Sequence, residues 1–187
     1  MSKPTPSHSS RSPEYALLGF LYESPVHGYD LHHRLVNELG QIWRASQSQT
    51  YNILKRLELR GDVAATTIKQ AKLPDRQVLK ITTSGRKRFL TWLNTPTGSS
   101  VRAIRLEFIT RLYFTQKFAT ENLLPILDAQ AAEINASLTR LEVDQASIPA
   151  GQTFNRLGLG LRTQQLRSVL NWLVECRKAF ANKSNKE

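Results

Sequence analysis

The feature that most constrains this chain is a change of hydrophobic period at Gly61. Ahead of it, apolar residues recur at helical spacing; behind it, β-branched residues come in short runs. Pro13 is placed to open a first helix whose apolar face is Tyr15, Leu17, Leu18, Leu21 and Tyr22. Pro25-Val26-His27-Gly28 breaks it. Leu31, Leu35 and Leu39 form one stripe of a second helix, 29–39, which Gly40 ends. Ser46 is the N-cap of a third helix, 47–60, with Gly61 stopping it. Its core face is Thr50, Ile53, Leu54 and Leu57; Ser48, Tyr51, Asn52, Lys55 and Leu59 lie on or beside the opposite face. Val63-Ala64-Ala65-Thr66-Thr67-Ile68 and Gln77-Val78-Leu79-Lys80-Ile81 then read as two strands around a polar loop containing Pro74-Asp75. Thr82 caps a fourth helix through Phe89, Trp92 and Leu93 to Asn94. The expectation is a mostly α chain with a two-stranded β-wing: a winged helix-turn-helix followed by a helical domain.

Segment 1–12 is rich in Ser and Pro and lacks an apolar run, so it reads as a disordered arm and not a signal peptide. Residues 13–94 form the first domain and Thr95-Pro96-Thr97-Gly98-Ser99-Ser100 the linker. Residues 101–187 are helical. A helix over 101–118 carries Ile104, Phe108, Ile109 and Leu112. A longer one, capped by Thr120, places Leu124, Leu127, Ala131, Ile134, Leu138 and Leu141 at alternating three- and four-residue spacing. Ile148-Pro149-Ala150-Gly151 breaks it. A last helix carries Leu159, Leu166, Leu170, Leu173 and Phe180 on one seam, beside Val169, Trp172 and Cys176. A stripe that wide has two partners, one within the chain and one outside it, so these five are the expected homodimer contacts. An intramolecular bundle is the alternative.

Lys and Arg number 26 against 15 Asp and Glu, a net charge of +11. That surplus favours a polyanion, either nucleic acid or an acidic membrane surface. Between Gly40 and Asn94 there are eleven Lys or Arg and only Glu58, Asp62 and Asp75, a net of +8. The excess is thus concentrated on the third helix and the ribbon, unless it is a solvated face. Cys176 is the only cysteine, which excludes an intrachain disulfide and reads as a small hydrophobe. No apolar run approaches the ~20 residues that span a bilayer. The cytoplasm is the expected compartment. His27, His32 and His33 cluster but do not converge with a nucleophile, a paired carboxylate or a metal set, so neither an enzyme, nor a cofactor, nor a metal is expected.

A helix fits the DNA major groove, with residues near its N-terminus reaching base edges. Gln and Asn pair bidentately with adenine, which makes Gln47, Gln49 and Asn52 the base-reading candidates, with Ser48 and Tyr51 beside them. Lys55 and Arg56 lie further along and suit phosphates. At the wing tip, Lys69, Lys72 and Arg76 suit the backbone or the neighbouring minor groove. Charge-only binding to nucleic acid and a partner-binding helical module are the competing readings.

Leu17-Leu18-Gly19-Phe20-Leu21 followed by His27-Gly28-Tyr29-Asp30-Leu31 resembles the opening of the PadR-type regulators. So do Ile42-Trp43-Arg44-Ala45-Ser46, Tyr51, Leu54, Leu57-Glu58 and Gly61, then the ribbon 74–82, Gly85 and Trp92-Leu93. The remainder resembles the branch with a long helical C-terminal domain. Two positions depart: Leu79 stands where the family's ribbon usually has an aromatic, and Asn52 where Pro is frequent. The resemblance implies a dimeric regulator of transcription on double-stranded DNA, most often a repressor, sometimes an activator without effector. It also implies release by a small aromatic or phenolic effector. Trp43 and Trp92 are the rings that would stack on one, although a Trp beside a helix boundary is usually core.

Overall fold

The computed structural model describes residues 12–68 and 76–184. The expected arm, save Ser12, and the wing-tip residues Lys69 and Lys72 lie outside the described residues; of Arg76 only the backbone is described. The chain divides into two compact units, Met1–Thr95 and Pro96–Glu187.

The first unit contains α1 (Glu14–Glu23), β1 (Val26–His27), α2 (Gly28–Leu39), α3 (Gln47–Leu59), β2 (Val63–Ile68), β3 (Arg76–Ile81) and α4 (Thr83–Leu93). The expected two-stranded wing, β2 paired with β3, is joined by a short third strand in an antiparallel sheet of order β1-β3-β2. The segment read as a simple helix break supplies β1, pairing Val26 with Leu79 and His27 with Val78. Two residues are too few to show an alternating pattern, which is why the sequence hides this strand. From Leu79 to Ile81 β3 alternates as a half-buried strand should, with Leu79 and Ile81 buried and Lys80 exposed between them; Gln77, on the same face as Leu79, is exposed at the strand's outer end.

α1 is buried almost all round, from Ala16 to Leu21, and the other helices face it with single stripes. Leu31, Leu35, Leu39, Ile53, Leu54, Leu57 and Phe89 complete the core, each contributing roughly 1.5–3 kcal/mol on burial. Gly61 follows α3 at φ 73°, a conformation only glycine takes cheaply, and its N–H donates to the Glu58 carbonyl at 2.9 Å. Gly85 has a different reason. A Cβ there would stand 2.0 Å from the Asp62 carbonyl oxygen, so only glycine lets α4 sit on that loop.

In the second unit α5 (Val101–Ala103), a π-helical turn (Ile104–Phe108) and α6 (Ile109–Phe118) run on as one helix. A 3₁₀ turn (Thr120–Asn122) leads to α7 (Leu123–Ser147), and α8 (Thr153–Ser184) returns alongside it. Thr120 is not the cap of α7; its hydroxyl donates to the Gln116 carbonyl at 2.9 Å. Pro125 has no N–H and is tolerated only in a first turn, which places the helix start at Leu123. The expected linker is also partly structural. Thr97 is buried, its hydroxyl accepts from buried Arg111, and its carbonyl accepts from Gln130 at 3.1 Å. Ser100 caps α5, accepting from the Ala103 N–H at 3.1 Å.

Leu166 and Leu173, expected at a dimer seam, are 1% and 3% exposed within the chain itself. They pack with Leu127, Ile134, Leu138 and Leu141 of α7 and with Ile104, Phe108 and Leu112. Leu159, Leu170 and Phe180 are half-buried against the same cluster. Arg167–Glu142 and Arg177–Asp128 ion pairs run along the hairpin. Cys176 is half-buried there, and burial pushes its thiol up from the usual range, as befits an unreactive side chain. Among the described residues, no helix is long and apolar enough to cross a membrane.

Candidate nucleic-acid interface

α3 begins with a complete capping box. The Ser46 hydroxyl accepts from the Gln49 N–H at 3.2 Å, and the Gln49 side-chain oxygen accepts from the Ser46 N–H at 2.9 Å. One face of the helix, Thr50, Ile53, Leu54 and Leu57, is buried, and this anchors the helix by its inner side. The outer face exposes Gln47, Ser48, Tyr51, Asn52 and Lys55.

Two of the expected contact residues have other work here. Gln49 is exposed, but its amide oxygen is committed to the cap, and bidentate adenine reading needs that oxygen's amide as a whole. Arg56 stays exposed but leans towards α1, donating to Ser12 and to Glu14 at 3.4 Å each. Glu14 is 6% exposed and also receives Arg60 at 2.7 Å and Arg88 at 2.9 Å. Arg88 bridges on to Asp62 at 2.6 Å. Burial by itself would raise the Glu14 carboxyl; the hydrogen bonds and charges of Arg60 and Arg88 outweigh it and hold the group below the usual carboxylate range. Sequence reading missed this cluster because Glu14 lies 42 to 74 residues from its partners.

Between the start of α2, the outer face of α3 and β3 lies an open groove of about 840 Å³. Tyr51, Asn52 and Lys55 line it with His27, Tyr29 and Gln77, and with the carboxylates Asp30 and Glu58. Tyr29 is 54% exposed and Tyr51 44%, large rings left facing solvent at the start of α2 and on α3. Tyr29 was not anticipated as a surface residue of the site; its signal was only its place just after the His27-Gly28 helix start. Trp43 and Trp92, the expected effector rings, are each 7% exposed and belong to the core of the first unit. Trp92 stacks on Tyr15 at 4.6 Å between ring centres, 5° from parallel.

A three-helix core with an outward-facing third helix beside a β-wing is the architecture of a winged-helix DNA-binding protein. Residues 17–90 match the model of the "Transcriptional regulator PadR-like family". The chain is 31% identical over 132 residues to the negative transcriptional regulator PadR of Bacillus subtilis, covering 69% of this chain and 70% of that protein. It also resembles the crystal structure of Bacillus subtilis PadR in complex with operator DNA, at 25% identity and TM-score 0.42, over 89% of this chain and 98% of that one. The same protein in complex with p-coumaric acid matches at 24% identity and TM-score 0.40, over 91% and 99%. The chain belongs to the PadR-like family of transcriptional regulators, which are DNA-binding proteins and not enzymes.

Proposed function

We propose that this chain is a repressor that binds an inverted-repeat operator as a homodimer in the cytoplasm and is released by a small aromatic molecule. The observation that carries the DNA reading is the outer face of α3, where Gln47, Ser48, Asn52 and Lys55 stand exposed at and just after a fully capped helix start. Gln47 and Asn52 read base edges, Ser48 either bases or phosphate, and Lys55 phosphate. Lys69, Lys72 and Arg76 of the wing follow the neighbouring backbone. The sign of regulation is supported by the relative at 31% identity, a negative regulator.

The dimer contacts are better sought where α8 leaves large apolar groups uncovered: Phe154 is 88% exposed, Leu157 64% and Leu161 58%. Their spacing of three and four residues puts them on one stripe. For the effector, the second unit has an apolar groove of about 310 Å³ lined by Ile104, Ile109, Val169 and Trp172 with Arg105 and Gln165. That volume suits one aromatic ring, and Arg105 suits an attached anion. An effector would act by favouring a dimer whose recognition helices miss two grooves about 34 Å apart.

Salt-titrated binding to a fragment from upstream of the chain's own gene tests the reading. A large preference over random duplex, retained as salt rises, is the expected result. Equal loss of both complexes would leave only charge-driven binding.

A further inference from the structure

The histidines His27 and His32 take no part in the readout described above, yet each makes a fixed hydrogen bond. His27 Nδ1 lies 3.0 Å from the Gln77 carbonyl oxygen of β3. A carbonyl can only accept, so the ring donates. His32 Nδ1 lies 3.0 Å from the Thr50 hydroxyl oxygen, and Thr50 is fully buried on α3. The Thr50 hydroxyl donates its one proton to the Ser46 carbonyl at 3.1 Å, so here too it is the ring that donates. His27, just before α2, thus ties to the wing strand β3, and His32 within α2 ties to the capped first turn of α3, where Gln47 and Ser48 sit.

We infer that His27 and His32 are positioning residues that set the separation between the wing and the recognition helix, and thereby the selectivity for operator over random DNA. The inference rests on the DNA reading above. Neither imidazole needs to touch DNA. The physical reason is geometric: base readout tolerates errors of only about 0.5 Å, whereas charge attraction to phosphates tolerates much more. Loosening either tie therefore costs specific binding while sparing non-specific binding. Local anchoring makes the ties effective. β1 pairs His27 with Val78 and so fixes its ring next to Gln77, and Gly28 leaves room for the Tyr51 ring, which stands 3.0 Å from where a Cβ would be.

The test uses the full chain and a duplex enriched from a random library by the wild-type protein, with a scrambled duplex as the non-specific control. His32→Leu and His27→Leu are expected to weaken binding to the selected duplex about 2- to 10-fold each, with the scrambled duplex unchanged. Asn places an N–H where Nδ1 stands, so His32→Asn and His27→Asn should restore most of the preference. Thr50→Val, which removes the acceptor without altering α2, should repeat the selective loss of His32→Leu, and Thr50→Ser should not. Unchanged preference in the Leu and Val variants overturns the inference. So does equal loss on both duplexes, or failure of Asn to rescue, since each marks simple packing. If the wild-type chain enriches no sequence at all, the DNA reading itself fails and the inference falls with it.

Discussion

Replacing Leu166 with Ala separates two readings of α8 that the sequence left open. At 1% exposure, Leu166 packs against the α7 cluster, so truncation removes buried carbon and leaves a cavity inside one chain. Leu→Ala at such a site costs about 2–5 kcal/mol. Phe154, 88% exposed, makes the opposite prediction. Phe154→Ala should alter subunit stability by less than about 0.5 kcal/mol. Burying that ring contributes roughly 1.5–3 kcal/mol, and a two-fold interface counts it twice, so the dimer should weaken by about 3–6 kcal/mol. That is two to four orders of magnitude in the dimer Kd. Sedimentation velocity over a dilution series reads the association, and urea unfolding at two protein concentrations separates subunit stability from assembly. A Leu166→Ala protein that is monomeric with a wild-type unfolding midpoint would refute the intrachain assignment. A Phe154→Ala protein that dimerises as tightly as wild type would move the interface elsewhere.

Gln49→Ala should cost helix stability of about 0.5–1 kcal/mol through the lost capping box and leave base preference unchanged, whereas Asn52→Ala should lose about 1–3 kcal/mol of discrimination at one base position; binding to single-substitution duplexes distinguishes them. Lys55→Ala should weaken all duplexes alike and lower the slope of log affinity against log salt by about 1. Glu14 has a depressed carboxyl in the folded state, so its contribution is complete above the unfolded value of 4.5 and disappears as pH falls through the lower folded value. Acid unfolding of Glu14→Gln should therefore start from a lower stability at neutral pH, by about 1.5–3 kcal/mol, and lack that part of the acid dependence. Gly85→Ala should destabilise the first unit by at least about 1–3 kcal/mol in thermal unfolding, because the new Cβ meets the Asp62 carbonyl; a neutral result would mean that loop gives way freely.

The helices of the first unit were legible because each carries its own periodicity and its own punctuation: Ser46 with Gln49 at one end of α3, Gly61 at the other. The inner and outer faces of α3 follow from the same spacing, and the structure places Thr50, Ile53, Leu54 and Leu57 on the buried side as the pattern requires. β1 was not legible, because two residues carry no period. The Thr120 cap misled, because a hydroxyl before a helix looks the same whether it accepts from the helix start or donates back to the preceding turn.

The long α8 stripe shows where local pattern stops. Spacing determined that Leu166 and Leu173 would be covered; whether by the same chain or another was decided by the chain's path, which turns α8 back along α7. The same holds for Arg56, an exposed basic residue on the right helix whose guanidinium also pairs with Glu14 of α1. The sequence by itself determined which elements form and which face of each is apolar, since these depend on neighbours within a few residues. Only the tertiary structure decided which polar groups remain available to DNA, because a hydrogen bond to a residue 18 or 50 positions away leaves no mark on local spacing.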